Sequence, residues 1–156
     1  MTPTLHAICL FAGVASMSFL FAKVEIHIEG DKGWAASLPT WRIEKHWLLD
    51  LFFGGRTLTG YHAWMLSFML AAFHFPALVL GDWSWRYEAL VMAAFIVFWI
   101  LEDLLWFLLN PAWGWRRFDR VNVTWHRYWL LWFPTDYWIF TVVAAGLGWF
   151  ALRPAG

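Results

Sequence analysis

Residues 99–111 read WILEDLLWFLLNP and set Glu102 and Asp103 side by side in a run whose other members, up to Asn110, are all apolar or aromatic. An acidic residue at the centre of a membrane helix costs about 2.5–3.5 kcal/mol on insertion scales, and such groups face the bundle interior and find partners or carry function. Adjacent residues of a helix point about 100° apart, so the two carboxylates can line one sector without both reaching one atom. Candidate partners follow from depth along the chain. His62 opens the second long apolar run, His126 precedes the fourth, Asp136 lies just past Pro134 in that fourth run, and His46 and Asp50 lie in the segment between the first and second. These groups converge on one leaflet, whereas His74, twelve residues beyond His62, is about 18 Å further along the helix axis and belongs elsewhere.

Imidazoles and carboxylates together form the ligand set of zinc, manganese or non-haem iron. His46, His62, Glu102, Asp103 and His126 are therefore candidate ligands of a divalent metal ion. A metal-bound water or a redox metal would act on a lipid or another apolar small molecule, with Glu102, Asp103 and Asp136 as the candidate proton-moving groups. Two other chemistries use the same residues. In a small proton-coupled transporter Glu102 or Asp103 would change charge state with substrate. In an accessory subunit of a larger complex, or a homo-oligomer, the carboxylates would pair with Arg116, Arg117, Arg127 or His126 and fix how helices dock. The His-x-x-x-His and His-x-x-His-His boxes of membrane desaturases are missing from the sequence, as is Gly-x-Ser-x-Gly, and the single cysteine is Cys9.

The elements that must position these groups are helices in lipid. The chain has 156 residues, 62% hydrophobic and 14% charged. Soluble domains are nearer half apolar and a quarter charged. Its formal net charge of zero gives no electrostatic footprint for nucleic acid. Runs of about 20 apolar residues are needed to cross a bilayer, and four stretches supply them: residues 5–22, 61–80, 87–109 and 129–152. The sequence thus predicts an all-α, polytopic membrane protein of four transmembrane helices forming one domain over residues 1–156, with no cleaved signal peptide. The first helix carries a small-residue patch, Ala12, Gly13, Ala15, Ser16 and Ser18, suited to close helix packing.

Between the first two helices, KVEIHIEG (residues 23–30) alternates with period two and reads as a short strand or a fraying helix end. WRIEKHWLLDLFFGG follows Thr40. Its Arg42, His46 and Asp50 fall on one helical stripe and Ile43, Trp47 and Leu51 on another, which predicts an amphipathic interfacial helix over residues 40–53. Lys23, Lys32, Arg42, Lys45, Arg56, Arg116, Arg117, Arg120 and Arg127 lie on the two connections that a four-helix topology puts on one side. The excess of positive charge makes that side cytoplasmic and places both termini outside, in a multi-pass cell-membrane protein. Trp99, Trp106, Trp132 and Trp138 flank the acidic positions and could wall a pocket or simply pack.

Overall fold

The structure, a computed structural model, describes residues 3–47, 49, 55–81 and 83–153. Among them are four helices long and apolar enough to cross a membrane: α1 (Pro3–Glu29), α2 (Gly60–Leu80), α3 (Trp85–Leu109) and α4 (Thr135–Leu152). Two two-residue strand pairs stand in the connections: β1 (Arg42–Ile43) with β2 (Leu58–Thr59), and β3 (Trp129–Leu130) with β4 (Phe133–Pro134). This is the architecture of a multi-pass all-α membrane protein.

The helix α3 is central. It packs against α1 on one side and α4 on the other, while α2 leans on it through Met69 and Phe73. Two cores result. In mid-bundle, Val14, Met69, Ala94 and Phe98 meet; at the end where α1 leaves and α2 enters, Ala22, Ile26, Trp106, Phe107, Phe118, Val123 and Tyr137 do so. Exposed Trp64, Phe68 and Leu78 on α2 and Val142 and Trp149 on α4 form the greasy outer surface that lipid requires.

Three boundaries differ from the sequence reading, each for a local reason. The first helix runs on through KVEIHIEG to Glu29, because Val14, Ser18, Ala22, Ile26 and Glu29 recur at helical spacing and all are buried. The period-two alternation of that segment is incidental. Of the predicted small-residue patch, only Ser18 makes the contact. Its hydroxyl donates to Val14 O at 2.9 Å and lies 3.1 Å from Phe98 O across the α1–α3 seam. Ala12, Gly13, Ala15 and Ser16 face outward.

The predicted interfacial helix does not begin at residue 40. Residues 40–46 are extended or irregular, because β1 pairs with β2 and folds the loop back onto the start of α2. There Thr40 Oγ1 accepts from Tyr61 N at 3.0 Å and Thr59 caps the helix. Arg42 donates to Ala35 O and Leu38 O, not along a helical stripe. Trp47 and Leu49 are helical, but Asp50 and residues 51–54 lie outside the described residues. The fourth helix starts at Thr135, not at 129, since residues 129–134 turn through the β3–β4 hairpin with Leu131 at φ 55°. Pro134 consequently sits just before the helix, where its missing N–H is harmless.

One glycine closes the connection after α1 over the lower core. Gly33 has φ +63°, and a Cβ there would lie 2.9 Å from Cη2 of both Trp106 and Trp125. Gly114 has φ +68° with open space around it. Gly33→Ala should therefore lower stability by about 1–3 kcal/mol, the sum of left-handed backbone strain and displaced indoles. Gly114→Ala carries only the strain, roughly 1 kcal/mol. Thermal denaturation of the two variants in detergent checks the difference.

Candidate functional site

The bundle end that carries the long connections encloses a cavity of about 330 Å³. Its polar lining comes from every spanning helix and one loop: Glu25 and Glu29 from α1, His62 from α2, Glu102 and Asp103 from α3, Asp136 and Tyr137 from α4, and Arg56 from the α1–α2 connection. The helices bring these groups level because α1 and α3 end, and α2 and α4 begin, at this side. Cross-links hold the arrangement: Asn110 Nδ2 donates to Gly30 O at 2.8 Å, and Trp113 Nε1 to Asp31 O at 2.9 Å.

Glu102 and Asp103, neighbours in sequence, have opposite surroundings. Asp103 is held by two side chains, with a second charged pair close behind. Tyr137 Oη donates to its Oδ2, and His126 Nε2 lies 3.0 Å from the same oxygen. His126 Nδ1 is 3.5 Å from Asp136 Oδ1, and Asp136 is ion-paired to Arg56. Asp136 also occupies the first turn of α4, where the exposed N–H groups of the helix favour a negative charge. Glu102, only 6% exposed, lies on the cavity wall, and its Oε1 has no hydrogen-bond partner among the described residues. Nε1 of Trp99 and Nε1 of Trp106, which line the same cavity, are likewise buried and unpartnered among the described residues.

Beside Glu102 stand two further buried carboxylates, Glu25 and Glu29, one helical turn apart on α1. Glu29 Oε1 accepts from Ala35 N at 2.5 Å and is 3.8 Å from His62 Nε2. His62 is fixed from both sides. Its ring stacks on Trp34 at 4.1 Å between centroids, and its Nδ1 lies 2.7 Å from Thr59 Oγ1. Arg56 covers Trp34 as well, with its guanidinium carbon 5.0 Å from the ring centroid. The wall thus sets five carboxylates against at most three positive charges, those of Arg56, His62 and His126. Carboxylates gathered in a low-dielectric cavity share protons or take up a cation.

The predicted residues separate accordingly. His62, Glu102, Asp103 and Asp136 line the cavity, and His126 holds Asp103 from behind. His46 is elsewhere, in a hollow shared with Glu44, Lys45 and Arg127, so the expected five-residue ligand set does not assemble. Among the described residues no group of three or more His, Cys, Asp or Glu side chains is arranged to hold a metal ion. Arginine pairing does occur, but through Arg56 and Asp136; Arg117 instead donates to Ala112 O. Trp99 and Trp106 wall the cavity, whereas Trp132 and Trp138 are exposed. His74 pairs with Glu88 at 3.0 Å near the opposite end, as its depth implied. Glu25, Glu29, Arg56 and Tyr137 were not legible as site residues. The one available signal was Glu25 and Glu29 at i and i+4 behind an apolar helix.

Burial lowers the pKa of His126 from its ordinary 6.5, against the opposing pull of Asp103. The groups facing it are Asp103 on α3, Asp136 and Tyr137 on α4, and Arg56. Below pH 6.5 the unfolded imidazole binds a proton more readily than the folded one. This contribution to stability is therefore present above that pH and is lost as pH falls from there toward the depressed value. Between pH 7 and pH 5 the parent should lose more melting temperature, or gain less, than His126→Gln, and the difference between the two profiles over about that interval reads this imidazole.

Four helices long and apolar enough to cross a membrane, among the described residues, with a cavity lined by five carboxyl groups at one end, are the class that fold and site define. Comparison with protein-family models, with curated proteins and with solved structures finds no match.

Proposed function

We propose that the cavity is a His/carboxylate site at the cytoplasmic leaflet that receives the polar end of a lipid or other apolar substrate, with both termini outside the cytoplasm. In this reading Glu102 exchanges a proton or charge with the bound molecule. Asp103, His126, Tyr137, Asp136 and Arg56 form the rigid frame beside it. The observation that carries the reading is the buried Oε1 of Glu102, unpartnered among the described residues and carried, like the equally unpartnered Nε1 atoms of Trp99 and Trp106, by a residue that lines the cavity. Buried polar atoms are nearly always satisfied, so three orphans on residues lining one cavity support a bound molecule that completes them; the other two among the described residues, Tyr61 Oη and His126 Nδ1, belong to residues outside that lining. The basic residues of both long connections support the orientation.

The excess of carboxylates over cations favours one second reading, a divalent zinc, iron or manganese ion held by Glu102 with Glu25 or Glu29. Native mass spectrometry from lipid nanodiscs, together with elemental analysis, separates the two. A small apolar molecule that co-purifies with the parent and is lost in Glu102→Gln supports the lipid site. Metal at one equivalent, lost in the same variant, moves the assignment to an ion. If neither is present, and Glu102→Gln changes nothing but stability, the protein is a non-enzymatic subunit whose carboxylates serve packing. A proton-driven flux in proteoliposomes that vanishes in Glu102→Gln would identify a small transporter.

A further inference from the structure

The cavity is graded in polarity along the bundle axis, and the gradient has the same sense on three helices. On α2, His62 is followed one turn deeper by Leu66. On α3, Glu102 is followed toward mid-membrane by Trp99 and Ile96, about 9 Å further in at the deepest. On α4, Asp136 gives way to Phe140 one turn on. Charge therefore gathers at the loop end and hydrocarbon at the floor, which is the polarity of an amphiphile in the leaflet on that side.

The head of that amphiphile is specified by the atoms waiting for it. Glu102 Oε1 is a buried acceptor with the carboxyl groups of Glu25 and Glu29 beside it, and a hydrogen-bonding cation is the head that holds such a group of carboxyls ionised. A primary ammonium meets this need; a quaternary one would leave Oε1 without a proton to accept. The two indole Nε1–H groups are donors only and call for an acceptor oxygen on the ligand, and Trp99 stands within one turn of Glu102 on α3. Indole walls also favour a cation over their faces. A volume of about 330 Å³ is at the small end of ligand pockets and accommodates one head with one chain segment rather than a two-chain lipid.

We infer that the cavity binds a single-chain amphiphile with an amino-alcohol head, its ammonium on Glu102 and its chain against Leu66, Ile96 and Phe140. This rests on the lipid-site reading above and narrows it to one head-group class.

Photolabelling in nanodiscs tests it. The probe is a long-chain 2-amino-1-alkanol with a diazirine in mid-chain, and the control is the matching 1,2-diol, in which hydroxyl replaces ammonium. Labelled residues are mapped by peptide mass spectrometry at equal mole fraction in the bilayer. The amine should label the floor about tenfold more than the diol, compete with unlabelled amine, and fall by about that factor in Glu102→Gln. Labelling should persist in Glu88→Gln, whose carboxylate lies at the other end of the bundle. Leu66→Trp, on the loosely packed α2, should block it while leaving Glu102 in place. Equal labelling by amine and diol, unchanged in Glu102→Gln, overturns the amine assignment but leaves a lipid site standing. No competable labelling of the floor by either probe overturns both.

Discussion

Truncating two adjacent carboxylates should give unequal results: Asp103→Ala is expected to lower stability by about 3–5 kcal/mol, Glu102→Ala by roughly 1 kcal/mol or less. Removing Asp103 strips Tyr137 Oη and His126 Nε2 of their shared acceptor and leaves both buried without a partner. It also unpins His126, whose Nδ1 stands 3.5 Å from the Asp136 carboxylate that Arg56 pairs with. Glu102 has no such dependants, and its loss relieves repulsion with Glu25 and Glu29. The comparison is made on ligand-free protein in detergent by denaturant titration, since a bound cation would stabilise the parent through Glu102 and inflate its apparent contribution. A double-mutant cycle with His126→Ala should return a coupling of about 1–3 kcal/mol to Asp103 and none resolvable to Glu102. Equal costs for the two truncations would show that Asp103 does not hold this frame.

The same contrast answers what the pair does in a greasy helix. Their directions, about 100° apart, turn Asp103 toward Tyr137 and His126 and leave Glu102 on the cavity wall with Glu25 and Glu29 of α1. One is held by two hydrogen-bonding side chains, and the other keeps a carboxyl oxygen without a partner among the described residues. Neither residue type nor spacing distinguishes them in sequence, because the distinction is made by what α1 and α4 bring opposite.

The spanning helices were legible because twenty apolar residues in a row have few alternatives, and the sequence placed α2 within one residue and α3 within two of their observed starts. The loop-side ends of α1 and α4 were not. At the end of α1, a turn of alternating charged and branched residues satisfies both a strand and a helix pattern, and only burial against α3 selects the helix. Before α4, a hairpin consumed six residues whose composition is indistinguishable from membrane helix. Both errors hid site residues. Ending α1 early concealed Glu25 and Glu29, and starting α4 early placed Asp136 too deep. Arg56 was counted only as an orientation signal, since its route into the cavity depends on a β1–β2 pairing between residues about sixteen apart, which no local period reveals.

Phe107→Ala should be comparably destabilising, by about 3–5 kcal/mol, for a reason that reaches the site without touching it. The ring is fully buried at the loop end of α3, where loop and helix meet. It stacks on Trp125 at 5.7 Å and 14°, meets Phe118 at 4.8 Å and Trp113 at 5.6 Å, and lies 6.4 Å from the His126 ring. Within lipid, helices gain little from burying apolar surface, so shape complementarity carries the association there. This cluster ties a connection to a helix end and gathers aromatic pairs worth about 0.5–1.5 kcal/mol each beyond their burial. Phe107→Leu keeps part of the volume and should cost less than the alanine variant. Trp64→Ala, on the exposed face of α2, should change stability by no more than about 0.5 kcal/mol. Because Trp125 lines the cavity and His126 orients Asp103, Phe107→Ala should also weaken labelling by the amino-alcohol probe, whereas Trp64→Ala should not. Full labelling in a destabilised Phe107→Ala protein would mean that the cavity is assembled by the helices alone and owes nothing to the connection packed beneath it.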